Sequence, residues 1–212
     1  MNWIIKSLVA IGVATAGTAA KADTLNDGSQ SQAKRAFISE YDNALAPLQF
    51  VKFCMNYDAE CAADTAERTL PSGERAMSML REVNSSVNAS ITPMQKSTNP
   101  MVARWTVAPS AGDCNDYAVT KRHQLIEMGW PRSALRLAVV LTGGRGHLVL
   151  VARLAGGDFV LDNLSASVRS WNTADYEWIS MQSGGNPHFW VAIGEHGERL
   201  RATRLAMLRT VQ

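Results

Sequence analysis

The stretch SAGDCNDYAVTKRHQLIEMGWPRSALRLAVVLTGGRGHLVLVARL, residues 110–154, changes its hydrophobic period at Pro131. Upstream of that proline, Asn115–Met128 has helical spacing and Gly129 closes it. Downstream, ALRLAVVL and HLVLVARL are short β-rich runs separated by a glycine-rich stretch. DFVLDNL, YEWISMQ and FWVAI continue in the same manner, divided by Gly, Asn, Pro or Asp. Before residue 110 the pattern is helical from Ala33 to about Ile91. AKRAFISEYDNAL sets Phe37, Tyr41 and Leu45 on one stripe. SGERAMSMLREVNSSVNASI aligns Ala76, Leu80, Val83, Val87 and Ile91, with Ser72 as N-cap. Pro93 closes that segment, and Gln95–Pro100 reads as a loop. Helices first and strands afterwards predict an α+β fold, with helices packed on a mainly antiparallel sheet.

The chain has 212 residues, 46% of them hydrophobic, enough for one globular domain over residues 33–212. The first 22 residues are laid out as a secretory signal peptide. Lys6 precedes a short apolar stretch, and Ala20-Lys21-Ala22 offers a cleavage site; residues 23–32 then form a polar, flexible lead-in. Cleavage after Ala22 would remove Lys6 and Lys21 and cancel the formal charge of +2, so no nucleic-acid partner is expected. Export also changes how the cysteines read. Cys54 and Cys61 are close enough for a local disulfide, leaving Cys114 as the odd thiol, although Cα separations decide among the pairings. An unpaired cysteine in an oxidising compartment suggests chemistry.

Asp113 is placed to cap the helix that follows, with Cys114 at its first position and Asp116 near the third. Cys114, Ala118, Lys121, Leu125 and Met128 share one face. The helix tip favours a thiolate through its unpaired N–H groups, whereas two neighbouring aspartates oppose one. A nucleophilic Cys114 therefore needs positive charge: an imidazolium, a bound cation, or Lys121 or Arg122 folding back. His147 opens an apolar strand after the glycine-rich stretch and is the candidate base. Asp162, at the end of the next strand, is the candidate orienting carboxylate, with Asn163 as a fallback. The hairpin between them admits two registers. A turn centred on Leu154-Ala155 sets His147 opposite Asp162; one centred on Gly156-Gly157 sets Asp162 opposite Val151. The Cys114 N–H and the Trp105 indole are candidate oxyanion donors. His123, His188 and His196 read as surface residues, and no Cys/His spacing suits zinc.

Taken together, FC with the later Cys61, VNSSVNASITPM, Trp105, GDCNDYAVTKRHQLIEMG, GHLVLVAR, GDFVLDNL and YEWISMQ resemble the bacterial transglutaminase-like cysteine peptidases from about Phe53 to Val191. The resemblance implies a papain-like core and a Cys114–His147–Asp162 triad in an exported, usually periplasmic, protein. Better understood members are calcium-dependent proteases that trim surface adhesins under the control of an inner-membrane receptor. Their calcium is held by acidic residues in a D-C-E-D stretch, which here reads Asp113-Cys114-Asn115-Asp116. Ca²⁺ at Asp113 and Asp116 is thus the one cofactor the resemblance allows, with one carboxylate fewer to hold it. Hydrolysis of a protein or peptide substrate is the leading expectation. Transglutaminase or amidase chemistry by the same triad, and a non-catalytic periplasmic binding module, are the alternatives.

Overall fold

The apolar runs after Pro131 all become strands of one sheet. The computed structural model describes residues 36–64 and 69–210. In chain order its main elements are β1 (Glu40–Ala44), α1 (Leu48–Asn56), α2 (Gly73–Ser90), β2 (Thr92–Pro93), β3 (Ala111–Gly112), α3 (Cys114–Glu127), β4 (Leu135–Thr142), β5 (Arg145–Leu154), β6 (Gly157–Leu161), β7 (Arg169–Ser170), β8 (Glu177–Gln182), β9 (Trp190–Ile193) and α4 (Gly194–Thr210). Seven of the strands form a sheet in the order β1-β9-β8-β4-β5-β6-β7, and every neighbouring pair is antiparallel. β2 and β3 make a separate short parallel pair that brings the end of α2 beside the start of α3. This is the α+β arrangement expected, a cysteine-bearing helix on a mainly antiparallel sheet.

β5 lacks polar alternation because both of its faces are buried. Leu148, Leu150, Ala152 and Leu154 join the core formed with α1, α2 and α3, around Phe50, Leu80, Val83, Val119 and Leu125. Val149 and Val151 face a second core with Val140, Val160, Trp178 and Ile193. Helix α3 is laid against the first core, and Tyr117 Oη donates to the Ile91 carbonyl at 2.5 Å. The N-terminal end of α3 thereby stands over β5.

Two readings of the sequence give way here. The segment AKRAFISEYDNAL contains strand β1, which pairs with β9 at the sheet edge, and Leu45 is 95% exposed. A three-residue stripe is a weak helical signal, and the open edge of β9 offers backbone partners that override it. The C-terminal helix α4 had no counterpart in the sequence reading. Residues 1–35, with the signal-peptide and lead-in assignments, lie outside the described residues. Among the described residues no helix is long and apolar enough to cross a membrane.

Candidate active site

Helix α3 starts as its sequence specifies. Asp113 is the N-cap: its Oδ1 accepts from the Asn115 N–H at 3.1 Å, and Asp116 Oδ2 accepts from the Asp113 N–H at 2.9 Å. The reciprocal pair forms a capping box with aspartate in the role more often taken by glutamate. It explains Gly112 as well. A Cβ there would overlap Asp116 Oδ2 and lie 2.8 Å from the Asp116 Cβ and Cγ, so only glycine lets Asp116 fold back under the helix start. Cys114 stands at the first helical position, half-buried, with a free thiol; Cys54 and Cys61 are joined in a disulfide, with Cα atoms 5.6 Å apart.

The β5–β6 hairpin takes neither of the registers read from sequence. Leu154 pairs with Gly157 and Leu150 with Leu161, so the turn is Ala155-Gly156. Continued by one residue, this register sets Asp162 across from Val149, two positions from His147 and on its side of the strand. Such diagonal neighbours are within reach of long side chains. The contact is made: His147 Nε2 lies 2.7 Å from Asp162 Oδ1. With Nε2 committed, Nδ1 is the ring nitrogen left to serve the Cys114 thiol, which lines the same cleft. Burial disfavours the imidazolium, but the hydrogen bonds and charges of Asp162 and Cys114 outweigh it and push His147 up to about 9. Asp162 is buried too. Hydrogen bonds from His147 and Tyr176, the His147 charge and the Leu164 N–H nevertheless hold its carboxyl below the usual range.

Tyr176 is a neighbour that the sequence did not signal as part of the site. Its hydroxyl donates to Asp162 Oδ2, and Arg169 Nη2 donates to the same hydroxyl at 3.4 Å. Burial and the adjacent Asp162 carboxylate raise the phenol well above its ordinary value, so it stays a donor. Asn163, the fallback orienter, does not meet His147; its buried Oδ1 has no hydrogen-bond partner among the described residues.

The positive charge beside the aspartates comes from a residue not foreseen. Lys96 Nζ donates to Asp116 Oδ1 at 2.8 Å and Oδ2 at 2.9 Å, and to the Arg104 carbonyl at 2.5 Å. Asp116 is fully buried and also accepts from the Thr106 N–H at 2.8 Å. Neither Lys121 nor Arg122 folds back toward Cys114. Arg122 is sealed against Glu60 and the Leu135 carbonyl. Lys121 is fully buried, its Nζ has no hydrogen-bond partner among the described residues, and burial lowers it to about 7 against the opposing pull of Asp162.

These bonds decide whether calcium fits. With Lys96 in place, both oxygens of Asp116 are saturated. Asp113 Oδ1 accepts from the Asn115 Nδ2 at 3.0 Å as well as from its N–H, so Asn115 presents a donor there. Burial and the charge of Asp116 raise the Asp113 carboxyl. The donor set does not fit a calcium ion, and among the described residues no group of three His, Cys, Asp or Glu side chains is placed to hold one.

Cys114, His147, Trp105, Lys96 and Asp113 line a common cleft of about 760 Å³. Trp105 packs on Phe50 and Phe53 with ring centroids 6.0 and 6.1 Å away, so the candidate oxyanion donor is also a core aromatic. His123 is partly exposed, and its Nδ1 lies 2.6 Å from Glu60 Oε1, bracing α3 against the disulfide turn. His188 is exposed as expected, whereas His196 lies half-buried in α4.

The family model of the bacterial transglutaminase-like cysteine proteinases matches residues 40–198. Among solved structures, Legionella pneumophila LapG is 19% identical, with a TM-score of 0.43, and the match covers 70% of this chain and 80% of that one. The same protein described as calcium-bound is 18% identical with a TM-score of 0.45, covering 80% and 87%. The EGTA-treated form is 19% identical with a TM-score of 0.43, covering 71% and 83%. No curated protein matches in sequence.

Proposed function

The chain belongs to the bacterial transglutaminase-like cysteine proteinases, and on that premise we propose that Cys114, His147 and Asp162 hydrolyse a peptide bond through a thioester. The observation that carries the reading is the 2.7 Å contact of His147 with Asp162 in the cleft that His147 shares with Cys114 at the tip of α3. His147 holds the thiol proton, and Cys114 Sγ attacks the amide carbon. The oxygen of the tetrahedral intermediate would be met by the Cys114 N–H, the helix-tip donor that the cap leaves uncommitted, with the Trp105 indole as the second candidate donor. Collapse breaks the C–N bond, and the imidazolium gives its proton to the leaving amine. Water then attacks the thioester, His147 takes a proton from it, and the thiolate leaves as the acid is released. Asp162 holds the ring in the orientation both halves require. An amine in place of water would give transfer, and a labelled amine present during turnover separates the two outcomes.

The reading extends to export and to a protein substrate. A Cys54–Cys61 disulfide is at home in an oxidising compartment, in keeping with the segment read as a signal peptide. A surface adhesin as substrate and an inner-membrane receptor as regulator belong to this proposal on the family resemblance alone. Mass spectrometry of the mature protein after an irreversible thiol alkylator tests the core of it. Selective labelling of Cys114 in the folded protein is expected, together with loss of protein-substrate cleavage in Cys114→Ala. An unlabelled Cys114, or an alanine variant that still cleaves, would overturn it.

A further inference from the structure

A lysine ammonium has three N–H donors, and Lys96 spends them on Asp116 Oδ1, Asp116 Oδ2 and the Arg104 carbonyl. An ionised carboxylate offers about four acceptor sites, and Asp116 fills them with Lys96 twice, the Thr106 N–H and the Asp113 N–H. Both partners are complete, and the pair is largely shielded: the Asp116 side chain is 0% exposed and that of Lys96 19%. We infer that Lys96 is the built-in cation of the cysteine helix, a positioning residue that stands in for a divalent metal at Asp113–Asp116. The inference rests on the reading of Cys114 as the nucleophile.

Three features support it. Calcium would need Asp116 oxygens at about 2.3–2.6 Å, on the side where the ammonium already bridges both; two cations cannot share that position. Asn115 turns a donor rather than an acceptor toward Asp113, which suits an aspartate held by hydrogen bonds and not by a metal. Finally, Lys96 does structural work that a bare carboxylate pair leaves undone. It ties the loop from Gln95 to Arg104, one wall of the cleft, to the buried aspartate two residues beyond the thiol, while Lys52 Nζ holds the same loop through the Met101 carbonyl at 2.5 Å. The wall and the helix start are thereby fixed to each other by the chain's own charge.

The test uses the full mature protein and two readouts, thermal unfolding and the rate at which an alkylator labels Cys114. For the wild type, excess EGTA and millimolar CaCl₂ should give the same melting temperature and the same labelling rate. Lys96→Met should label at least about tenfold more slowly, the loss of a charged hydrogen-bond partner, and Lys96→Arg should recover much of the rate. A saturable rise in wild-type melting temperature with calcium, or a wild-type labelling rate that collapses in EGTA, would overturn the inference; so would a folded Lys96→Met that labels as fast as wild type. The melting measurement reads Lys96 whether or not Cys114 proves reactive, and it needs no variant to fold. A Cys114 unreactive under every condition would instead count against the proposed peptidase chemistry.

Discussion

Asp162 accepts from His147 Nε2 and the Leu164 N–H on one oxygen and from Tyr176 on the other, so its orientation is set from three directions. Removing the tyrosine hydroxyl deletes one donor to a buried carboxylate. Tyr176→Phe should lower kcat/KM about tenfold to a hundredfold, the worth of a hydrogen bond to a charged group. It should also move the acid limb of the pH–rate profile upward, since Tyr176 helps hold Asp162 below its usual range. The alkaline limb has a different origin: on the proposed chemistry, activity should fall as pH rises through about 9, where His147 would lose the proton it hands to the leaving amine. Steady-state profiles of the two proteins check both limbs. At this scale the sequence was informative about residue types and order. Cys114, His147 and Asp162 stood out as a set, an unpaired cysteine at a helix start followed in order by a histidine and an aspartate at strand ends, each of which is ordinary alone. Tyr176 and Lys96 did not, because a tyrosine before a strand and a lysine in a loop have ordinary solvent-facing roles, and only folding across many residues brings them to a carboxylate.

Between elements, the position of α3 depends on a short braced turn. The Cys54–Cys61 disulfide closes the end of α1 onto the 3₁₀ turn Asp58–Cys61, and Glu60 within that turn contacts Arg122 and His123 of α3. Reduction should cost about 2–3 kcal/mol for a loop of this length, read as a lower denaturation midpoint with a reductant than without. The hairpin shows where sequence reasoning runs out. Gly156-Gly157 and the demand for a His–Asp contact pulled toward different registers. The observed turn falls between them, because a diagonal pair satisfies the contact without direct opposition. β1 was missed for a related reason: pairing with β9 is a property of the finished sheet edge, not of five residues of sequence.

Over the whole molecule the sheet carries a core on each face, which is why its central strands are continuously apolar. What the sequence could not convey is how charge is distributed within those cores. Arg136, buried between Glu40 and Asp158, and Arg153 on Asp158 join β1, β4, β5 and β6 through one ionic network. Lys121 is the exception, a basic group in the interior without a hydrogen bond among the described residues, and it has a consequence for proton linkage. The native state holds His147 protonated up to about 9, above its unfolded value, so that residue makes stability decline as pH rises toward 9. Lys121 does the reverse: folding lowers it to about 7, the unfolded chain binds the extra proton from there to about 10.5, and stability climbs across that window. Between roughly pH 7 and 9 the two slopes oppose each other, and denaturation free energies of the wild type should change little. Lys121→Met removes one of them. Its stability should exceed that of the wild type near neutrality and then fall with alkali by up to about 1.4 kcal/mol per pH unit; a flat profile in that variant would refute the cancellation. The fold would thus hold steady as its surroundings drift from neutral to alkaline, by trading one internal proton against another.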